Sequence, residues 1–403
     1  MHILLIHQAF ASLNEPGGTR HHELARYLVE KGHQITVIAS PVSYLTGKSG
    51  TRHIAWLTKQ TEPGITILRT YTYPALHRSF IHRVFSFISF MLSSFFAALQ
   101  VAKVDLVWGT SPPIFQGLTA WIVARLKGTK FLFEVRDLWP DFAIAVGVLH
   151  QPLIIRASRW LERFLYSHAD RVLVNSPGFV SHVQEHGARQ VDLVPNGADP
   201  RMFDPSQDGL AFRMEHHLEH KFIVLYAGAH GLSNDLGVIL EAACLLKDYP
   251  EIAIVLLGDG KDKPALVRRA EELKLENVRF MPPVSKLEMP AVLAAADACI
   301  AILKPIPLFM TVYPNKVFDY MAAGRPVILA IKGVIRDVVE SVQAGIPVEP
   351  GDTAGIAKAI LSLSENQAMG KMMGKRGRHY IETHFDRAIL ADKLEKIFMD
   401  VKE

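Results

Sequence analysis

The chain has 403 residues, and at about 150 residues per domain this length favours two or three domains. Hydrophobic residues make up 49% of the sequence and charged residues 21%, which is ordinary for a globular protein and excludes intrinsic disorder. Lys and Arg total 44 against 40 for Asp and Glu, and this small excess is spread along the chain. Nucleic-acid binding needs a basic stripe, so we expect none here.

The N-terminal residues MHILLIH show no cationic segment and no small-residue cleavage site, so we expect a β-strand and no signal peptide. Two cysteines, Cys244 and Cys299, are too few for a disulfide framework. Each lies in an apolar run, which predicts small side chains packed in the core and a reducing compartment, the cytoplasm.

Short apolar runs rich in β-branched residues alternate with helical patterns along the chain, which predicts doubly wound parallel sheets. The predicted strands of the first half are HILLIHQ, QITVIAS, ITILRTY, VDLVWGT, FLFEVRD, RVLVNS and VDLVPNG. Those of the second half are FIVLYAG, IAIVLLG, VRFMP, ACIAIL, RPVILA and GIPVEP. Because a segment rich in Gly, Pro and Asp separates the halves, we predict Rossmann-like domains at 1–198 and 199–380. A final helix at 381–403 is expected to cross back to the first domain.

The segment Val84–Ala102 carries no charge, and its length is at the lower limit for a transmembrane helix. A strand pattern follows it directly, so a true span would place the two halves of one sheet on opposite sides of a bilayer. A buried helix and a helix lying in the membrane interface remain open, and we favour the second. It places Arg78, His82 and Arg83 at the headgroups and five aromatic rings toward lipid: Phe85, Phe87, Phe90, Phe95 and Phe96.

Two glycine-rich turns stand next to predicted helices. Gly17 and Gly18 precede the first helix, and Gly228, His230 and Gly231 follow the strand FIVLYA. Free N–H groups at a helix start attract anions, and open α/β sheets bind ligands at the carboxyl ends of strands. A plain tight turn remains the alternative for the first pair. A triphosphatase is not expected, because no GxxxxGK[ST] segment is present.

The segment PNKVFDYMAAGRPVI predicts a helix that begins near Asn315. Lys316 and Asp319 share one face of it, so Lys316 could meet a diphosphate and Asp319 the hydroxyls of a ribose. The alternative is an exposed ion pair between the two side chains.

Three charged residues, Glu134, Arg136 and Asp137, end the strand FLFEV. Charges directly after a buried strand favour an active site over a structural role. By contrast, His216, His217 and His220 lie in a polar segment with no third ligand at a zinc-like spacing, so we predict a solvated helix and no metal site there.

As a set, PGGTRHHELARYLVEKGHQITVIA, FEVRDLWP, LVNSPG, LVPNGADPRMF, LYAGAHG, LLGDG and PNKVFDYMAAGRPVI resemble the family-4 retaining glycosyltransferases. The resemblance covers essentially the whole chain and is nearest to the N-acetyl-fucosaminyltransferase-like branch of O-antigen and capsule synthesis. It implies the GT-B architecture, two Rossmann domains facing a cleft, with the donor on the second domain and the acceptor on the first.

Carried over by position, the resemblance implies that Asp319 contacts the ribose, that Gly17 and Gly18 approach the diphosphate, and that backbone groups from Met281 to Val284 read the nucleobase. The candidate catalytic residues are Glu134, Arg136, Asp137 and Lys316. The candidate donor-binding residues are Gly17, Gly18, Gly228, His230, Gly231, Met281, Val284, Lys304, Asn315, Lys316 and Asp319.

Three positions depart from the family pattern. Thr311 stands where the family has a first glutamate, Arg136 stands where it has a histidine, and the segment LSNDLG lacks the usual cations that clamp the diphosphate. Lys316 and Lys304 could replace those cations, although a lysine lacks the bidentate geometry of arginine.

We therefore expect a retaining transferase that uses a UDP-sugar, with an N-acetylated sugar, and a polyprenyl-diphosphate-linked saccharide acceptor in surface-polysaccharide synthesis. It needs no cofactor or metal and lies in the cytoplasm, at the anionic surface of the inner membrane. The alternatives are a UDP-sugar 2-epimerase and a non-catalytic partner subunit with a degenerate donor site.

Overall fold

The computed structural model describes residues 1–43, 47, 55–74 and 80–402. The chain divides into two compact units. Met1–Ser12, Gly17–Pro195 and Ala388–Glu403 form the first unit, and Leu13–Pro16 with Asn196–Arg387 form the second. Each unit is built on a largely parallel sheet flanked by helices, so the predicted α/β fold class is confirmed.

The strands of the first unit are β1 (His2–Ile6), β2 (Gln34–Ala39), β3 (Leu57–Glu62), β4 (Ile65–Thr70), β5 (Leu106–Ser111), β6 (Lys130–Val135), β7 (Arg171–Val174) and β8 (Val191–Leu193). They form one eight-stranded sheet in the order β3-β4-β2-β1-β5-β6-β7-β8. All neighbours are parallel except β3 and β4. Every strand but β3 coincides with a predicted one; β3 was missed because this edge strand is mostly exposed and polar.

The helices of the first unit's sheet are α1 (Arg20–Glu30), α2 (Phe80–Gln100), α3 (Phe115–Lys127), α4 (Asp141–Ala145), α5 (Pro152–His168) and α6 (Val180–Glu185). Those of the second unit are α7 (Leu210–Glu215), α8 (Leu236–Leu245), α9 (Lys263–Glu272), α10 (Met289–Ala295), α11 (Asn315–Ala322), α12 (Val334–Ser341), α13 (Thr353–Glu365) and α14 (Gln367–Tyr380).

The last helix, α15 (Arg387–Lys402), returns to the first unit. Leu390, Leu394 and Phe398 join the core of that unit, and the Phe398 ring lies 5.4 Å from the ring of Trp108. Burial of these apolar side chains holds the helix in place.

The strands of the second unit are β9 (Phe222–Ala227), β10 (Ile252–Leu257), β11 (Val278–Met281), β12 (Ala298–Ile302), β13 (Val327–Ala330) and β14 (Gly345–Pro347). They form a six-stranded parallel sheet in the order β11-β10-β9-β12-β13-β14, and all six were predicted. The chain proceeds in opposite directions from β9 and from β12, so the loops after these strands diverge. Ligands in open α/β sheets bind at such a switch point.

The Phe-rich helix α2 has one buried and one exposed face. Phe87 and Phe90 are buried, so the prediction that they face lipid is wrong. The exposed face is an apolar stripe of Phe85, Ile88, Leu92, Phe96 and Leu99. Among the described residues, His82–Gln100 is the one helical stretch long and apolar enough to cross a membrane, and 33% of it is buried. Arg78 lies outside the described residues.

The histidines near the linker do not form the predicted helix. α7 ends at Glu215, and His217 has a φ of +55°, which breaks the helical spacing of His216 and His220. His217 and His220 are exposed, as expected for a solvated segment.

Candidate functional site

Glu134, near the end of β6, lies at the centre of a buried network in the first unit. Its carboxylate accepts hydrogen bonds from Arg20 Nε (3.2 Å) and Nη2 (3.0 Å), His21 Nε2 (2.6 Å) and Trp108 Nε1 (3.1 Å). Arg20 also donates to the backbone carbonyls of Val194 and Pro195, which follow β8. These donors surround both carboxylate oxygens.

This network keeps Glu134 ionised. Burial alone would raise the pKa of Glu134, but His21 and Arg20 together hold that pKa well below its usual value. Burial lowers the pKa of His21 to about 4, against the opposing effect of Glu134, so the imidazole is neutral at pH 7. A carboxylate that already accepts four hydrogen bonds is poorly suited to receive a substrate proton. This geometry favours a positioning role for Glu134, and its predicted catalytic role stays a prediction.

Arg136 and Asp137 follow β6 and have different surroundings. Arg136 donates from Nε to the carbonyl of Ser111 (3.1 Å) and from Nη2 to that of Pro112 (3.2 Å). Asp137 Oδ1 is shielded from solvent and has no hydrogen-bond partner among the described residues. Burial raises the pKa of Asp137 to about 7, although the charge of Arg136 acts the other way. A carboxyl group with this pKa can accept a proton at neutral pH.

Sequence reasoning missed His7, which directly follows β1 and is fully buried. Its Nδ1 lies 3.1 Å from the Thr110 hydroxyl, and its ring lies 4.4 Å from that of His21. Burial and the charge of Arg136 lower the pKa of His7 well below its usual value. The available signal was the one that singled out Glu134: a polar residue at the carboxyl end of a buried strand.

Gly17 and Gly18 precede α1 in the first unit, and both are exposed. Gly17 has a φ of +150°, and a Cβ there would lie 3.0 Å from Cβ of Ala11. The turn therefore requires glycine at position 17 whether or not a ligand binds. Anion binding by this pair stays a prediction.

Lys316, the second residue of α11, holds its ammonium group in a shielded position of the second unit. Nζ lies 3.8 Å from the centre of the Tyr226 ring, and a Cβ built at Gly228 would come within 2.7 Å of it. Within the part of the chain that the structure describes, this nitrogen has no hydrogen-bond partner. Burial lowers the pKa of Lys316 to about 7. Because an unpaired buried cation is costly, this position is suited to an anionic ligand.

His230 lies beside Lys316 and is fully buried. Neither ring nitrogen has a partner among the residues described. Burial, with Lys263 and Lys316 nearby, lowers the pKa of His230 to about 4, so the ring is neutral and offers one donor and one acceptor. The structure thus brings the predicted Gly228, His230 and Lys316 together at the switch point of the second sheet.

Glycines allow the loops after β9 and β10 to pack backbone against backbone. A Cβ at Gly258 would lie within 3.3 Å of His230 Nε2 and would overlap the Gly228 carbonyl, and one at Gly260 would overlap the carbonyl of His230. The turn predicted for LGDG therefore supports the loop that carries His230.

Asp319 has a partner that the sequence did not reveal. Its Oδ1 accepts from Lys286 Nζ at 2.7 Å, and its Oδ2 accepts from Asn315 Nδ2 at 3.3 Å. Lys286 is 7% exposed, so this is a largely buried ion pair and not the exposed pair with Lys316 considered above. A ribose bound by Asp319 would share the carboxylate with Lys286.

The backbone at the end of β11 is already hydrogen-bonded within the protein. The Met281 carbonyl accepts from the Gly258 amide (3.1 Å) and from Lys263 Nζ (2.9 Å), and the Met281 side chain is buried. Val284 is half-buried against the same core. The Met281 backbone therefore supports a neighbouring loop, and the prediction that it reads a nucleobase gains no support from this geometry.

The remaining predicted residues flank this position. The Lys304 amide bonds the Ser233 carbonyl at 2.9 Å, which places Lys304 in the loop after β12. Gly231 is half-buried in the loop after β9. Thr311, at the position of the family's first glutamate, donates its hydroxyl to the Leu308 carbonyl at 2.6 Å and ends a short 3-10 helix.

Two family models match the chain in sequence order. Residues 17–197 match the Glycosyl transferase 4-like domain, and residues 221–366 match Glycosyl transferases group 1. The chain belongs to the glycosyltransferases. The two matches cover most of the chain, so the glycosyltransferase assignment holds for both units.

A relative from Escherichia coli (strain K12), named "Putative colanic acid biosynthesis glycosyl transferase WcaI", is 25% identical over 382 residues, which is 91% of each chain. Sucrose-phosphate synthase from Thermosynechococcus elongatus has a TM-score of 0.80 at 17% identity, over 99% of this chain and 98% of that one. Anabaena Alr3699/HepE, solved with UDP and glucose, has a TM-score of 0.74 at 15% identity, over 99% and 100%. These structures confirm the GT-B fold of this glycosyltransferase.

Proposed function

We propose that this glycosyltransferase transfers an N-acetylated sugar, with retention of anomeric configuration, from a UDP-sugar to a polyprenyl-diphosphate-linked saccharide. The product would enter a surface polysaccharide. The observation that carries the proposal is the shielded ammonium group of Lys316 beside Gly228, which has no hydrogen-bond partner among the described residues. The name of the WcaI relative supports polysaccharide synthesis. The N-acetyl-fucosaminyltransferase-like branch remains part of the proposal.

Lys316 pairs with the diphosphate of the donor. As the glycosidic bond breaks, negative charge grows on the leaving phosphate, and a cation fixed beside it stabilises that charge more than it stabilises the intact donor. This single lysine takes the place of the cations missing from LSNDLG, and no metal is required in this scheme. Asp137 receives the proton of the acceptor hydroxyl, since its pKa is about 7.

Calorimetric titration of UDP tests the donor site. A charged hydrogen bond contributes about 1.5–3 kcal/mol, so Lys316→Ala should weaken UDP binding roughly 10- to 150-fold. Lys358→Ala, which removes an exposed lysine of the same unit, should leave the affinity unchanged. Equal affinity of wild type and Lys316→Ala would refute the assigned site.

The same titration separates the enzyme from the alternatives. A wild type that binds no nucleotide at millimolar concentration would favour the partner subunit with a degenerate donor site. Neither family match supports the UDP-sugar 2-epimerase alternative.

We also propose that the protein is peripheral to the cytoplasmic face of the inner membrane. The support is the apolar stripe of α2, in which Phe85 is 57% and Phe96 is 50% exposed. A stripe of this kind buries its rings at the boundary between headgroups and acyl chains.

Co-sedimentation with anionic vesicles tests this surface. Replacing Phe85 and Phe96 together by Ser should raise the unbound fraction and leave unfolding unchanged. Phe90→Ser should instead destabilise the first unit, because Phe90 is fully buried. Leu245→Ser serves as a control, since it removes an exposed apolar side chain from the second unit. Unchanged sedimentation of the Phe85 and Phe96 variant would disprove lipid docking.

A further inference from the structure

A cluster of two histidines and a glutamate lies between α5 and α6 in the first unit. Glu162 projects from α5 and is 1% exposed, His182 lies on α6, and His186 follows that helix directly. One nitrogen of each imidazole and one carboxylate oxygen lie within 4.8 Å of one another. None of the three residues belongs to the donor or acid–base positions described above.

Hydrogen bonds already orient these side chains. His186 Nδ1 donates to the His182 carbonyl at 2.7 Å, so in the neutral ring Nε2 carries a lone pair. A bond from the second ring nitrogen to a backbone carbonyl is the arrangement that orients metal-binding histidines. The rings of His182 and His186 are stacked with centres 4.0 Å apart, so the two imidazoles lie next to each other.

Hydrogen bonds also orient the carboxylate of Glu162. Glu162 Oε1 lies 2.9 Å from His182 Nε2 and accepts the Tyr166 hydroxyl at 3.1 Å. Tyr166 lies on the same helix one turn later, so it fixes the carboxylate toward α6. A hydrogen-bonded pair of Glu162 and His182 alone would not require the second imidazole, and this surplus ligand distinguishes the cluster from a buried ion pair.

We propose that Glu162, His182 and His186 bind one divalent transition-metal ion of the zinc class, with water completing the coordination. Two imidazoles and a carboxylate form a donor set that zinc accepts, and three protein ligands leave one position open. The ion would join α5 to α6. It is independent of the proposed transfer chemistry, because none of its ligands is assigned to the donor or the acceptor.

The chain contains its own control. His216 and His220 have the same sequence spacing as His182 and His186, but α7 ends before them, and neither is part of a ligand cluster among the described residues. A variant with both of these histidines replaced by Ala removes two imidazoles, one more than His186→Ala, without touching the proposed site.

Zinc titration of the metal-free full chain against a chromogenic chelator tests the proposal. Wild type and the control variant should each bind one tight zinc ion, and His186→Ala should weaken that binding by more than about tenfold. Zinc should also raise the melting temperature of wild type and control but not of His186→Ala. Bound cobalt should show the visible absorption of a low-symmetry site in wild type and lose it in His186→Ala.

Glu162→Gln keeps the Tyr166 contact and removes the charge, so it gives a second variant if an alanine change unfolds the protein. It too should bind zinc more weakly. The proposal fails if wild type binds no stoichiometric zinc, if His186→Ala and Glu162→Gln bind it as wild type does, or if only the control variant loses binding.

Discussion

The charged and polar side chains near the strand ends differ between the two units in how they are hydrogen-bonded. At the end of β6 in the first unit, Glu134 accepts hydrogen bonds from three side chains, and Arg136, directly after the strand, donates to two carbonyls. In the second unit, the His230 ring in the loop after β9 and the Lys316 ammonium at the start of α11 have no such partners among the described residues. Both sets lie near the carboxyl ends of buried strands, so position alone does not separate them.

The comparison teaches which property indicates a ligand. A buried polar group without a hydrogen bond costs free energy, and folding tolerates that cost where a bound molecule can recover it. By this criterion the network of Glu134 favours a structural role, and the position of Lys316 is suited to an anion. Asp137 is the exception in the first unit, since its buried oxygen also has no partner in the described part of the chain.

The largest expected effect tests the role of Asp137. Asp137→Asn removes the group that receives the acceptor proton, and general base catalysis contributes about 10²- to 10⁴-fold, so turnover should fall by about that factor. UDP affinity should stay unchanged, because Asp137 lies in the first unit. In wild type the rate should rise with pH through about 7, as Asp137 ionises, and the variant should lose this rise.

Asp141→Asn is the matched control, because Asp141 lies one turn later and pairs with the exposed Arg159. It should retain turnover. If Asp137→Asn lost UDP binding and turnover to the same extent, the assignment of Asp137 to proton transfer would be wrong.

The next effect concerns stability. Glu134→Gln removes the anion that pairs with Arg20 and that accepts from the neutral His21, and breaking a buried ion pair costs about 3–5 kcal/mol. Chemical denaturation should show that loss in the unfolding transition of the first unit. Glu62→Gln breaks a comparable contact with His22, but Glu62 is 36% exposed, so the loss should be below about 1 kcal/mol. Equal losses in the two variants would show that Glu134 is not the centre of a structural network.

Local patterns were enough to predict most of the fold. Parallel strands buried on both faces are apolar throughout, so thirteen of the strands were visible in the sequence, whereas the polar edge strand β3 had no such pattern. The five phenylalanines of α2 look alike in the sequence. Which of them is buried depends on the elements that pack against the helix, such as Phe115 beside Phe87.

The candidate site likewise has features that the sequence could predict and features that only the structure shows. Lys316 could be predicted because its helix start is a local pattern, and the structure added that its buried nitrogen makes no hydrogen bond to the residues described. The pairing of Lys286 with Asp319 joins residues 33 positions apart, and only the folded sheet brings them together. Likewise, the sequence singled out Glu134 by its charge, but its role depends on donors from β5 and α1.

The smallest effect is a pH dependence that tests the unpartnered state of Lys316 directly. Burial lowers the pKa of Lys316 to about 7, so the group is charged below that pH and neutral above it. A diphosphate binds the charged form, so UDP affinity should fall by about tenfold per unit between pH 7 and pH 9, with about one proton taken up for each UDP bound. The ligand adds little to this slope, because the second phosphate pKa is about 6. His230 is neutral throughout the range, since its pKa is about 4.

Calorimetry in buffers of different ionisation enthalpy measures the proton uptake. Lys316→Arg should abolish both the uptake and the slope, because a guanidinium group stays charged. If wild-type affinity is flat over this range, the ammonium group of Lys316 is already paired and charged without a ligand, and the contrast between the two strand ends does not hold.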